Sequence, residues 1–277
     1  METDINAAET KQAQLKLLLK QLNRVAVAFS GGVDSAFLLK TASEVLGGNA
    51  AAITVESPLF PKREASEAAE FCRNEGICRE TVSLTEEDFS VFAGNPPERC
   101  YLCKRLMFEK IRTVAAALDL GTVCEGTNAD DENDYRPGLK ALTEAGIRSP
   151  LLECGLTKNE IRFLARRAGI AQWNKASSAC SASRIPYGET ITVEKLRMIE
   201  EAETYLFGLG ISRCRVRLHG GCLARIECDP SDWRLLAERR EEVITRLKQI
   251  GFVYVSVDWE GFRSGSLNEV LKNGQRL

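Results

Sequence analysis

The sequence predicts an α/β fold built on a parallel sheet, followed by a small α+β domain. Three observations predict it. Strand-like apolar runs alternate with helix-period segments through the first two thirds of the 277 residues. Such alternation gives a parallel sheet with helices on both faces. The first apolar run, "VAVAF", stops at "SGGVDS" and passes straight into a helical pattern, the signature of a strand-to-helix ligand turn. The periodicity then lapses between Ala171 and Thr190 and resumes in an α-β-β-α-β order. A first domain over residues 1–185 and a second over 186–277 are therefore expected.

The elements follow in order. "METDINAAETKQAQLKLLLK" places Leu15, Leu18 and Leu19, with Leu22 beyond, at helical spacing. Strands are expected at 25–29, 51–56, 77–84 and 121–126, with helices over Val33–Leu46, Lys62–Asn74 and Tyr101–Leu118. "PLLE" at 150–153 is a candidate fifth strand. "TKNEIRFLARRAG" reads as a helix with Thr157 as cap, Glu160 completing a capping box and Gly169 as stop. The second domain should hold a helix at Val193–Phe207, strands at 213–218 and 222–228 joined through His219-Gly220-Gly221, a helix at Trp233–Lys248 and a strand at 252–258. The polar tail from Ser264 to Leu277 is expected to be loosely held.

Bulk composition narrows the function. Hydrophobic residues at 44% suffice for a core, and a net charge of -2 argues against nucleic-acid binding, which wants a basic surface. No apolar run is long enough to span a bilayer. The N-terminus lacks the apolar centre and cleavage site of a signal peptide, so a cytoplasmic protein is expected. In that compartment the ten cysteines should not form disulfides. Cys214 with Val216 and Leu218, and Cys222 and Cys228 with Ala224 and Ile226, alternate as core residues of two strands. Cys72, Cys78, Cys124 and Cys154 are given the same structural reading. His219, the only histidine, reads as a turn residue.

Two sets of residues ask for chemistry. In "SGGVDS", Gly31 and Gly32 let backbone N–H groups approach an anion at a helix N-terminus, and Ser30 and Ser35 add hydroxyls. Asp34 would repel a bare phosphate, so it orients the loop or a bound Mg²⁺. In "NPPERCYLCK" and "SSACSASRIPYG", Cys100, Cys103 and Cys180 do not fit a core pattern. Lys104, Arg105 and Arg184 are near them in sequence, and basic groups favour the thiolate. Zinc would want a fourth ligand, whereas three thiolates suit an iron–sulfur cluster with one open iron. On the hairpin, Arg213, Arg215 and Arg217 share one strand face, with Arg225 and Glu227 on the partner strand. Such a face suits a phosphate, with a solvated polar surface as the alternative.

"SGGVDS" resembles the loop of PP-loop ATP pyrophosphatases. That resemblance implies the adenine nucleotide alpha hydrolase type of fold and cleavage of Mg²⁺-ATP to AMP and pyrophosphate. Ser30, Gly31, Gly32, Asp34 and Ser35 would hold phosphates, and Ala28 and Val55 would lie by the adenine. In "EGTNADDENDYRPG", Asp130 would help hold Mg²⁺, while Lys104 and Arg136 would neutralise the leaving pyrophosphate; Asp131, Glu132 and Asp134 read as a solvated acidic loop.

"SGGVDS", "RCYLCK", "EGTNADD", "DYRPG", "ACSASRIPYG" and the late "RVR…ARIE" together resemble the LarE-type ATP-dependent sulfur transferases over nearly the whole chain. The resemblance implies adenylylation of the carboxylates of pyridinium-3,5-biscarboxylic acid mononucleotide, for a nickel-pincer cofactor. Cys180 would displace AMP and give up its sulfur. Arg215 and Arg217 would bind the mononucleotide phosphate with Ser183 and Arg184, and Glu227 would hold a metal or orient the substrate. Members with all three cysteines resemble cluster-dependent thiolation enzymes, so a [4Fe–4S] cluster on Cys100, Cys103 and Cys180 is expected, with consumption of Cys180 as the alternative. The resemblance further implies a homo-oligomer, of hexameric order, and leaves the sulfur donor open. A PP-loop tRNA thiolase would need a basic surface, an amidating synthetase an ammonia-producing domain, and a non-enzymatic nucleotide sensor would not explain the three cysteines.

Overall fold

The computed structural model describes residues 2–133, 137–175 and 179–272. The chain divides into two compact units. The first begins with α1 (Glu2–Leu22), β1 (Val25–Ala28), α2 (Val33–Leu46), β2 (Ala50–Glu56), α3 (Lys62–Glu75) and β3 (Arg79–Ser83). Residues 86–97, containing α4 (Glu86–Phe89), belong to the second unit. The first unit resumes with α5 (Arg99–Ala117), β4 (Thr122–Cys124), α6 (Pro137–Glu144), α7 (Pro150–Glu153) and α8 (Lys158–Arg167).

Its four strands are parallel in the order β3-β2-β1-β4. Alternation along them divides the core between the faces. Val25 and Val27 pack with residues of α1, α2, α3 and α8, including Leu15, Leu38, Phe71 and Ile161. Ala26, Ile53, Val82 and Val123 face α5 and α6 through Phe108, Ile111 and Leu142. β1 and most of β2 are apolar on both faces because both are covered, whereas the edge strand β3 is largely polar. "PLLE" forms α7, not a fifth strand: Pro150 takes the first helical turn, where its missing N–H costs nothing. Among the described residues, a single parallel bridge, Cys124 to Arg148, extends the sheet beyond β4.

The second unit contains α9 (Val193–Gly208), β5 (Cys214–His219), β6 (Leu223–Cys228), α10 (Trp233–Glu238), α11 (Arg240–Ile250), β7 (Tyr254–Val257) and α12 (Glu269–Lys272). Its sheet runs β5-β6-β7, antiparallel then parallel. The single helix expected over Trp233–Lys248 breaks at Arg239 into α10 and α11. The unit starts at Ala179 and takes in residues 86–97, both placed with the first domain on sequence grounds. Asn95 supplies the physical link: it is fully buried and its amide donates to the carbonyls of Ile185 (3.0 Å) and Pro186 (2.6 Å).

Cys214, Val216, Leu218, Ala224, Ile226 and Cys228 are buried as the alternation requires, as are Cys72 and Cys124. Burial raises the thiols of Cys72 and Cys228 to about 11 and that of Cys124 to about 12, so they stay protonated. Cys78 departs from its expected core placement and is exposed, just ahead of β3, while Cys154 and Cys222 are half-buried. Among the described residues no helix is long and apolar enough to cross a membrane.

Candidate functional site

The sequence places its candidate residues on both units, and each set has its own local logic. On the first unit, β1 ends at Ala28 and the chain turns through Ser30-Gly31-Gly32 into α2. Gly31 has φ +74°, a left-handed value that glycine adopts without strain. Ser30 Oγ and Ser35 Oγ lie 3.2 Å apart, and Ser35 also donates to the Gly32 carbonyl at 3.1 Å. Lys175 Nζ donates to the Gly31 carbonyl at 3.3 Å and pairs with Glu67 at 2.7 Å, bracing the loop from outside. Ala28 and Val55, at the C-terminal ends of their strands, are partly exposed apolar positions fit for a flat ring.

Asp34 is in the first turn of α2. One carboxylate oxygen pairs with Lys158 Nζ; the other is buried without a partner. Burial raises the Asp34 carboxyl, against the pull of the Lys158 ammonium. An orphaned carboxylate oxygen beside a phosphate-type loop fits a divalent cation arriving with a nucleotide. Lys158 also uses its backbone N–H, which donates to Asp130 Oδ2 at 2.8 Å, so it links the two acidic residues expected near Mg²⁺. Sequence reading missed Lys158. Its capping box was legible and is present, Thr157 to Glu160 and back, but the box does not reveal what the first helical residue reaches.

Gly126 was also missed. A Cβ there would sit 2.9 Å from the Ser35 backbone nitrogen, so glycine alone lets the "EGTN" turn lie against the start of α2. Lys104 lies along Gly138, where a Cβ would meet its Cδ at 2.6 Å. Arg136 lies outside the described residues. A groove of about 950 Å³ opens by Gly121 and Thr122, the N-terminal end of β4 and so the sheet end opposite this loop.

Cys100 and Cys103 occupy the first turns of α5, the former exposed and the latter half-buried. Among the described residues no group of three or more His, Cys, Asp or Glu is gathered to hold a metal. Cys100 and Cys103 belong to the first unit and Cys180 to the second, and nothing here supports the [4Fe–4S] cluster expected on the three.

On the second unit, half-buried Cys180 precedes a 3-10 turn at Ser181–Arg184. Arg184 knots this turn: its guanidinium donates to the carbonyls of Ala179 (2.6 Å) and Cys180 (3.3 Å) and to Ser183 Oγ (3.1 Å). Its other edge meets Glu203 of α9 at 2.9 and 3.0 Å, with both side chains buried. Glu203 further accepts the Val216 backbone N–H at 2.9 Å, tying the Cys180 turn to β5. In this structure Arg184 thus serves the turn itself.

Arg215 and Arg217 are buried, against the alternative of a solvated face, while Arg225 is half-buried and Arg213 exposed. Arg217 is 1% exposed; it donates to the Ser183 carbonyl (2.7 Å), Glu227 (2.7 Å) and Ser266 Oγ (3.0 Å). Glu227 is fully buried and shared among Arg217, Arg225 and Ser266, so its oxygens are spoken for by protein groups. Arg225 also pairs with Asp258, and Arg213 with Asp229. Arg215 differs. It is 9% exposed, and its guanidinium makes no hydrogen bond or ion pair with a described residue, only a stack on Phe262. Burial, with the charges of Arg184 and Arg217 adding, lowers its guanidinium to about 10. A buried cation left without a counter-ion is a position prepared for an anion.

A parallel sheet in this order, with a glycine-serine loop after its first strand, defines an α/β protein of the adenine nucleotide alpha hydrolase, PP-loop class. Comparison with known proteins agrees. The chain is 25% identical to a subunit of the glutamine-hydrolysing GMP synthase of Pyrococcus horikoshii, over 65% of this chain and 62% of that protein. It is 39% identical to the pyridinium-3,5-bisthiocarboxylic acid mononucleotide synthase of Lactiplantibacillus plantarum, over 96% of each chain. It is 40% identical to an uncharacterised protein of Synechocystis sp., over 95% of this chain and 98% of that one. No family model matches the sequence. The chain belongs to the LarE-type sulfur transferase family, that of the L. plantarum synthase.

Proposed function

We propose that this protein is an ATP-dependent sulfur transferase that converts the carboxylates of pyridinium-3,5-biscarboxylic acid mononucleotide to thiocarboxylates. The observation that carries the reading is Arg215, whose buried guanidinium has no ion-paired carboxylate, on the unit that holds the Cys180 turn and the Ser183–Arg217 contact. It offers a phosphate grip on the same unit as the sulfur. The 39% identity to a synthase of the bisthiocarboxylic acid mononucleotide supports the substrate class.

The chemistry divides by residue. The loop from Ser30 to Ser35, with Asp34 and Asp130 toward Mg²⁺ and Lys104, Lys158 and Arg136 toward pyrophosphate, binds ATP. A substrate carboxylate oxygen attacks the α-phosphorus; pyrophosphate leaves and an acyl-adenylate forms. The Cys180 thiolate attacks the acyl carbon and AMP leaves. Loss of the Cys180 Cα proton then breaks Cβ–S, leaving dehydroalanine on the chain and a thiocarboxylate on the product. Arg215 and Arg217 hold the phosphate throughout. Arg184 keeps the Cys180 turn in shape.

Anaerobic turnover with ATP and the bis-carboxylate nucleotide tests this. The expected result is at most one thiocarboxylate per chain, with loss of the mass of H₂S from Cys180. Cys180→Ala should make no thioacid yet still release pyrophosphate. Thioacid from Cys180→Ala at an undiminished rate would sink the reading. Several products per chain, with a broad visible absorption band, would instead bring back the cluster on Cys100, Cys103 and Cys180.

A further inference from the structure

The tail of the second unit was expected to be loose, yet part of it is built into the arginine cluster. The chain leaves β7, turns at Gly261 and returns to β6, where the Phe262 N–H donates to the Cys228 carbonyl at 3.0 Å. The turn needs glycine: Gly261 has φ +74°, and a Cβ there would lie 3.0 Å from that same carbonyl. The Phe262 ring then meets two guanidinium groups, Arg213 at 4.4 Å and Arg215 at 4.7 Å from its centroid. Four residues on, Ser266 is buried; it donates to Glu227 Oε1 at 2.7 Å and accepts from Arg217 Nη2 at 3.0 Å. Tyr187, from the segment after the Cys180 turn, donates to Asn268 at 2.9 Å and pins the far end.

We propose that residues 262–266 are a positioning strap for the substrate phosphate, with Phe262 orienting Arg215 and Ser266 orienting Arg217. This rests on the reading of Arg215 and Arg217 as the phosphate grip. Stacking uses the face of the guanidinium and leaves its N–H edge free. A carboxylate partner would occupy that edge, so an aromatic ring is the support that holds the cation without competing with the ligand. Arg213, tied to Asp229 at 2.8 Å, steadies the ring. Ser266 acts through Glu227: it takes one carboxylate oxygen and so confines Arg217 to the other, at 2.7 Å. Neither residue touches the reacting carboxylates.

The test compares Phe262→Leu, Phe262→Tyr and Ser266→Ala with the unaltered chain. Readouts are direct binding of the bis-carboxylate mononucleotide by calorimetry, and the rate of single-turnover thiocarboxylate formation against nucleotide concentration. Phe262→Leu keeps an apolar contact and removes the ring face. It should raise Kd and the half-saturating nucleotide concentration roughly fivefold with the saturating single-turnover rate little changed, and Phe262→Tyr should restore both. Ser266→Ala should raise the half-saturating concentration in the same sense. Thermal midpoints separate misfolding from mispositioning: a tyrosine variant that folds but binds no better than leucine overturns the proposal. So does leucine binding as tightly as phenylalanine. Arg215→Met is the control for the underlying reading. If it binds the mononucleotide normally, the phosphate grip itself is wrong. If it fails to bind while Phe262→Leu binds normally, the strap alone is wrong.

Discussion

At the scale of single residues, Arg215 shows a group kept at a cost to stability. Its guanidinium is lowered from the ordinary arginine range to about 10, chiefly by burial. The folded chain therefore binds fewer protons than the unfolded chain from about 10 up to that range, and stability rises with pH across the window. Below about 10, where the group is charged in both states, its burial is a net penalty. Arg215→Met should then melt about 2–4 °C higher at neutral pH while losing mononucleotide binding. A lower melting point would mean that Arg215 serves the fold. Phosphate binding favours the charged form, so affinity in the unaltered protein should decline as pH climbs through about 10, with proton uptake on binding in that range. The turn after β1 was legible in the sequence. "SGGVDS" announced a glycine turn into a helix of the PP-loop class because its glycines and serines carry their reason with them. Lys158, Gly126, Glu203, Phe262 and Ser266 gave no such notice, since each acts on a partner distant in sequence.

At the scale of elements, periodicity found the helices and strands that bury a stripe or a face, and failed where burial is not periodic. "PLLE" is apolar over too few residues to tell a strand from a turn of helix, and Pro150 decided for the helix. Trp233–Lys248 reads as one helix, yet the chain breaks at Arg239 between α10 and α11. The capping box of α8 was legible, and it sets where Lys158 begins the helix. Thr157→Ala removes the side-chain acceptor for the Glu160 N–H at 3.3 Å. It should cost about 1 kcal/mol. ATP binding should weaken alongside the fall in melting temperature, as Lys158 loses its fixed start. Unchanged ATP affinity with the expected stability loss would show that Lys158 does not need the cap.

At the scale of the whole molecule, the fold class was legible because β and α segments alternate, and the extent of each unit was not. Chain order gave a single boundary, whereas the path passes between units three times, at 85/86, 97/98 and 178/179. No local pattern announces that residues 86–97 belong with segments that follow residue 178. Asn95 makes the membership physical through its donations to Ile185 and Pro186, and it holds φ +55°, which asparagine tolerates better than most residues. Asn95→Ala strands one buried and one partly buried carbonyl and should cost about 2–3 kcal/mol. Urea unfolding followed at tryptophan would detect it, and a loss under 1 kcal/mol would mean that other contacts hold the segment.

The same staple bears on the order in which the newborn chain can settle. Asn95 meets these two acceptors some 90 residues later, so the staple cannot close until Pro186 has followed this stretch out of the ribosome. A truncated product ending before residue 185 would carry Phe89 and Phe92, both buried in the finished protein, as an exposed apolar loop. That fragment should be sticky and short-lived even though its sheet strands are all present.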